Sequence, residues 1–219
     1  MLARYEHAGL TWIDLESPTR EEVRDIAVEF GIETLVAEEL LLPAIKPRAE
    51  FHKDYAYVVL HFPALHHSHK THEQEIDFVI GKNFLITTRY DTIDPLHKFS
   101  KVFEVNTILD KSEIGDHAGF LFFYMMRKLY RAIEYEIEYV RQELARIEES
   151  TFSGREVQMV AAISRTARDL LNLRQTIEPH RELLHDLEES GVKFFGEPFA
   201  PYLRGISNEY YRVHNHIMR

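Results

Sequence analysis

Cysteine is absent from this sequence. Its absence excludes disulfides, thiolate nucleophiles and cysteine-ligated zinc, and it fits a reducing compartment. Long apolar runs are missing too. The longest, Gly119 to Met126 (GFLFFYMM), falls far short of the ~20 residues that a helix needs to cross a bilayer. The opening residues, Met1 to Trp12, hold no apolar stretch of the kind a secretory leader carries, so none is expected. Positive charge is scarce: 26 Lys and Arg stand against 36 Asp and Glu, a formal net charge of -10. That balance disfavours a phosphate-binding surface, and with it nucleic acid, and suits cations. Enzyme signatures are also lacking. There is no GxSxG, GxxxxGK[ST] or HExxH, and no GxGxxG after a strand. The serines and histidines present form no recognisable triad, so a hydrolase reading has nothing to stand on.

What remains is an ordinary globular composition over 219 residues, 45% hydrophobic and 28% charged. The first part reads as α/β. Leu10–Leu15 (LTWIDL) has the alternation of a short strand. Thr19 can cap a helix with Glu22 as its capping-box partner, and that helix should run to about Phe30 and stop at Gly31. A second short helix is expected from Thr34 through Leu42, ending before Pro43. Tyr55–Phe62 (YAYVVLHF) reads as a strand. Glu75–Ile80 and Phe84–Arg89 read as a hairpin joined through Gly81-Lys82-Asn83. Asp94 and Pro95 have the cap and first-turn signature of another helix.

The pattern changes near Gly115. From Asp116 to Ser150 there is no proline and one glycine, Gly119. Leu129, Ile133, Ile137, Val140, Leu144 and Ile147 form a helical stripe. After Phe152-Ser153-Gly154 a second stripe runs through Val160, Ile163, Ala167, Leu170, Leu171, Arg174 and Ile177, then Leu183, Leu184 and Leu187 to Gly191. Pro179 should kink it. A third helix follows Gly196-Glu197-Pro198 and meets no stop signal before Arg219. The expected fold class is therefore α/β: a mixed sheet flanked by helices, plus a long antiparallel helical hairpin and the start of a further helix. The expected divisions are a head at 1–114, the hairpin at 115–196 and the last helix at 197–219.

Three constellations carry chemical potential. His66, His67, His69 and His72, with His61 and Glu73 nearby, have the density to bind zinc, nickel or copper, yet their spacing matches no closed zinc site. A solvated loop between two strands is the simpler reading. His214 and His216 lie two apart on a helix and so do not face one another; surface positions are expected. Glu38 and Glu39 are adjacent carboxylates at a helix end, oxygen donors of the type that magnesium takes, though acidic doublets are common on exposed helices. The charges of the long helices, Glu134, Glu136, Glu138, Arg141, Glu143, Arg146, Glu148 and Glu149, read as solvated faces.

The order of these segments resembles the cytosolic N-terminal domain of the CorA-type divalent-cation transporters. Trp12-Ile13-Asp14-Leu15 and the helix ending at Phe30-Gly31-Ile32 resemble the family's W-I-(D/N)-(L/I) strand and G-(I/L)-H-P-L helix start. Leu35 to Leu41 resembles L-x-x-E-D-(I/L). Lys46-Pro47-Arg48-Ala49-Glu50, followed by Tyr55–Phe62, resembles R-P-K-x-E and its strand. Gln74–Gly81 with Asn83–Thr87 resembles the paired strands that follow, and Asp94-Pro95-Leu96 a D-P-(V/L) helix start. Leu170–Leu184 (LLNLRQTIEPHRELL) resembles the L-x-x-L-R-x-x-(I/L)-x-P-x-R-E-x-(L/I) segment, the most specific of the set. Pro201-Tyr202-Leu203-Arg204 resembles the P-Y-F-R-D start of the stalk helix. The resemblance covers nearly the whole chain; the family's two membrane helices and G-M-N signature are not in this sequence.

The resemblance implies a regulatory domain, not an enzyme, on the cytoplasmic face of the inner membrane. It belongs to a homopentamer that passes Mg2+, and often Co2+ or Ni2+. Membrane attachment would come from helices beyond Arg219, so this chain alone should be soluble, a monomer or small oligomer. Regulatory Mg2+ would sit between neighbouring domains, with Glu38 and Glu39 supplying carboxylates. Two further acidic ligands do not carry over, because Arg127 and Gly205 occupy their positions. A guanidinium opposite a carboxylate can take a metal's place, so Arg127 is expected to pair with Glu38 or Glu39 across an interface and weaken Mg2+ gating. A zinc transporter of the ZntB type, which would take Zn2+ and to which the histidine-rich loop lends weight, and a soluble coiled-coil adaptor are the alternatives.

Overall fold

The computed structural model describes residues 1–7, 9–63, 74–90, 117–150 and 156–218. The helix expected at Asp94 and Pro95, the break at Phe152–Gly154 and the histidines at 66, 67, 69 and 72 lie outside them.

Six strands form one mixed sheet: β1 (Leu2–His7), β2 (Leu10–Glu16), β3 (Arg48–Phe51), β4 (Tyr55–Phe62), β5 (Gln74–Gly81) and β6 (Phe84–Arg89). Their order across the sheet is β1-β2-β6-β5-β4-β3. Only β2 and β6 run parallel; every other pair is antiparallel. The two edge strands were not legible as strands. β1 is polar at alternate positions, as an edge exposed to water must be, and β3 has only four residues after Pro47. Tyr5 of β1 stacks on Trp12 at 4.8 Å between ring centroids, which anchors that edge.

The inner strands are covered on both faces, so β4 and β5 are buried at every position. One face takes helices α1 (Arg20–Phe30) and α2 (Thr34–Glu39). Ile13, Leu15, Val59, Val79 and Ile86 pack there against Val23, Ile26, Val36 and Leu40. The capping box forms as the sequence dictates: Glu22 N–H donates to Thr19 Oγ1, and Thr19 N–H donates to the Glu22 carboxylate at 2.8 Å. Gly31 ends α1 at φ 68°, a left-handed conformation that costs glycine little. Helix α2 stops at Glu39, three residues before the expected end, and the chain continues to Pro47 as turns and bends.

The opposite face takes the long helices: α3 (Gly119–Ser150), α4 (Glu156–Ile177), α5 (His180–Phe195) and, after a 3-10 turn at Glu197–Phe199, α6 (Ala200–Ile217). Trp12, Val58, Phe78 and Leu85 share a single core with Phe122, Met126, Leu184 and Leu203. Sheet and helices are therefore joined by continuous apolar packing. Successive contacts Arg127–Glu209, Arg212–Glu134 and Arg141–His216 advance together along α3 and α6, so those two helices run parallel. His180 meets Tyr130, so α4 returns along α3 and closes the hairpin.

Pro179 separates α4 from α5, as expected. The inward face of α4 is displaced by one residue from the expected stripe. Met159, Thr166, Leu173, Thr176 and Ile177 are buried, whereas Val160, Ile163, Ala167, Leu171 and Arg174 face solvent. Two adjacent apolar stripes compete on this helix, and packing against α3 selects the one containing threonines. Gly191 does not end its helix. It sits inside α5, where an added Cβ would lie 3.0 Å from Leu203 Cδ1, and Gly196 is the cap. Glu136 is buried rather than solvated.

Candidate functional site

Glu38 and Glu39 end α2 on its exposed side. They do not act alike. The Glu39 carboxylate is ion-paired with Arg48 of β3, whose Nε donates to Glu50 at 2.8 Å. Arg48 also lies over the Tyr57 ring at 5.5 Å. Glu39 is thus held on the sheet edge by a guanidinium that is itself fixed by two further contacts. Among the described residues Glu38 has no side-chain partner.

Arg127 and Gly205 lie elsewhere, on the contact between α3 and α6. Arg127 Nε donates to Glu209 at 3.1 Å, and its guanidinium sits 5.4 Å from the centroid of Phe123. Within the chain its partner is therefore Glu209, not Glu38 or Glu39. Glu209 also accepts from Arg212, which bridges to Glu134 at 3.0 Å. Four charges in alternating sign tie the two helices together. A Cβ at Gly205 would lie 3.0 Å from Phe123 Cε2. The two departures from the acidic pattern thus meet at one aromatic ring. The absence of a side chain at Gly205 leaves room for the ring, which also carries the Arg127 guanidinium.

His61 is a strand residue. It lies on β4, buried, with Nε2 2.8 Å from Glu75 Oε2. His214 and His216 are half-buried rather than on the surface. His214 Nε2 contacts Glu178 at 3.2 Å, while the His216 carbonyl accepts from Arg141, so the pair does not converge. Among the described residues no three His, Asp or Glu side chains are grouped to hold a metal ion. No helix among them is long and apolar enough to cross a membrane.

A buried polar line crosses the sheet at β4, and no pattern in the sequence announces it. His180 is fully buried; its Nε2 lies 2.7 Å from the His61 carbonyl and its Nδ1 3.0 Å from the Tyr130 hydroxyl. A carbonyl can only accept, so Nε2 carries the proton and Nδ1 accepts from Tyr130. Burial pushes the His180 pKa down to about 4, so the ring is neutral. On the other side of His61, Glu75 accepts the Ala44 N–H at 2.9 and 2.8 Å. The single sequence cue was a histidine inside the L-R-x-x-I-x-P-H segment, which reads equally well as surface.

A sequence model described as "CorA-like Mg2+ transporter protein" matches residues 7–218. The chain belongs to that family. It is 25% identical over 201 residues to the cobalt/magnesium transport protein CorA of Thermotoga maritima, a match covering 90% of this chain and 56% of that protein. The chain thus spans little more than half the length of that relative. The soluble domain of CorA from Methanocaldococcus jannaschii superposes with a TM-score of 0.75 at 18% identity, over 96% of this chain and 82% of that one. The ZntB cytoplasmic domain from Vibrio parahaemolyticus gives a TM-score of 0.73 at 15% identity, over 99% and 83%. These likenesses establish the CorA soluble-domain fold that the segment order implied, mixed sheet and flanking helices included.

Proposed function

We propose that this chain is the cytoplasmic gating part of a CorA-type magnesium transporter, with Co2+ or Ni2+ as further cargo. In this reading α6 is the start of a stalk that continues into membrane helices, and the whole protein is a homopentamer. The observation that carries the reading is the family match across residues 7–218, in a chain that spans 56% of a cobalt/magnesium transport protein. The division into head, hairpin and stalk start follows the same reading.

A regulatory Mg2+ is poorly matched by these residues. Glu38 and Glu39 are hard oxygen donors of the right chemistry. Glu39, however, is already paired with Arg48, and the positions expected to supply further acids hold a guanidinium and no side chain. The Arg127–Glu209 pair joins α3 to α6 with a fixed charge instead. Gating by this domain should therefore respond weakly to Mg2+. A zinc-transporting reading is the second choice, supported by the likeness to the ZntB cytoplasmic domain.

Reconstitution of the product of the complete gene in liposomes tests the cargo. Mg2+ influx supports the first reading, Zn2+ influx alone supports the second, and neither overturns both. Melting of the 219-residue chain tests the regulatory half. A negligible shift in Tm at millimolar Mg2+ is expected. A clear rise that disappears in Glu39→Ala would restore the acidic pair as a metal site. Light scattering should find a monomer or small oligomer; a sharp pentamer would contradict the view that membrane helices are needed for assembly.

A further inference from the structure

Glu75 and Asp77 are two residues apart on β5, so their side chains share one face of the sheet, the face beneath α1 and α2. Asp77 is completely buried. Neither of its carboxyl oxygens meets an N–H or O–H among the described residues. Its neighbour along that face is the Glu75 carboxyl, which accepts from Ala44 N–H and from His61. Two carboxylates cannot bond to one another, because both are acceptors. A fully buried carboxyl that meets no donor and sits beside a second carboxyl is held in its protonated form.

The other groups around Asp77 do not supply one. Arg48 of β3 attracts its negative charge, while Glu39 of α2 and Glu75 itself oppose it. Tyr57 of β4 and Tyr90, just past β6, face it as phenols whose own ionisation is pushed far up, first by burial and then by Asp77. Their hydroxyls, and that of Thr88 directly across from Asp77 on β6, make no hydrogen bond among the described residues. The one cation is outweighed by burial and by two carboxylates.

We propose that Glu75 and Asp77 share a single proton at neutral pH, held by Asp77 as a carboxylic acid that donates to the Glu75 carboxylate, and that this proton clasps segment 40–47 onto the sheet. Glu75 then accepts from three donors, Ala44, His61 and Asp77. The clasp continues through the His61 backbone to His180 and Tyr130, so it links the turn after α2 to helices α3 and α5. Loss of the proton places two charges side by side in a buried site, and the weakest attachment, the Ala44 N–H on an irregular segment, gives way. The proposal is independent of the transport reading: it concerns the segment immediately after Glu38 and Glu39, and its test measures neither metal nor transport.

Hydrogen exchange of the 219-residue chain, followed by mass spectrometry from pH 6 to 9 and corrected for the intrinsic rate, tests it. Protection of a peptide spanning 40–47 should fall with rising pH, by up to ~10-fold per unit while the closed pair keeps the proton that the opened segment releases, and level off once the pair titrates. Asp77→Asn keeps a donor to Glu75 and cannot ionise, so it should retain protection and lose the pH dependence. Should that variant fail to fold, infrared spectra of the wild type provide the second reading: a carboxylic-acid carbonyl band should persist at neutral pH. Equal slopes in wild type and Asp77→Asn, or no such band, overturn the proposal. So does recovery of protection at high pH on adding millimolar Mg2+ or Ca2+, since a cation and not a proton would then bridge the pair.

Discussion

Gly205 on α6 leaves only enough room for the ring of Phe123 on α3: a Cβ there would come within 3.0 Å of Cε2. The ring has little freedom to retreat, because Tyr202 meets it edge-on at 5.1 Å and Arg127 lies over it. Gly205→Asp, which would restore an acidic side chain at this position, should lower stability by roughly 1–3 kcal/mol as an overpacking change. In a Phe123→Leu background the cost of Gly205→Asp should shrink, since touching residues are not additive. Denaturant melts of the four proteins in this cycle measure the coupling. An unchanged cost would mean that the ring is not the obstacle.

Glu209 is the shared acceptor of two guanidiniums and is nearly buried, its side chain about a tenth exposed. Its removal therefore differs from loss of an ordinary surface pair, where about 0–1 kcal/mol is typical. Glu209→Gln leaves Arg127 and Arg212 facing one another, and a loss of roughly 2 kcal/mol is expected. Arg127→Met, which keeps the contact with Phe123 but removes one charge, should cost less. If the two substitutions cost the same, the charge ladder does not hold α6 against α3.

Much of the fold was legible because local signals agreed with the tertiary outcome. The capping box at Thr19, Gly31, the apolar run of β4 and the stripe on α3 each point to one structure. The errors arose where two patterns competed. The edge strands are polar or short, and α4 carries two apolar stripes between which only packing decides. Of the candidate site, residue types were readable but partners were not. Arg127 and Glu209 are 82 positions apart, and His180 and His61 119 apart. Nothing in a single sequence joins them.

His180 provides the acid limb of the stability profile. Its pKa falls from 6.5 to about 4 on folding because the buried ring resists charging. A group with a depressed pKa contributes its full stability above the unfolded value and loses it as the pH drops through the folded one. The window therefore runs from about pH 6.5 down to about 4, and the loss across it is about 3 kcal/mol. His180→Phe should flatten that limb. The same substitution takes a buried hydrogen-bond partner from the Tyr130 hydroxyl and from the His61 carbonyl, so at pH 7 it should be less stable by about 1–3 kcal/mol. Urea melts from pH 4 to 8 separate the two effects: the variant starts lower and changes less. A parallel profile would assign the acid limb to other groups.

Asp77 has the opposite sign. Burial, then the adjacent Glu75, raises its pKa well above 3.8, so the native state holds a proton that the unfolded chain releases. Its contribution is complete below the unfolded pKa and declines as the pH rises through the folded one, so at neutral pH Asp77 costs the fold stability. Asp77→Asn should consequently raise Tm at neutral pH and above, and should bring little gain at pH 4, where both side chains are uncharged. Asp77→Leu separates charge from hydrogen bonding. It removes the same ionisable group but leaves Glu75 without its donor, and should gain less than Asn. Thermal melts of the three proteins at pH 4 and pH 8 decide the matter. If Asp77→Asn lowers Tm at pH 8, the carboxyl is ionised there and its charge is satisfied.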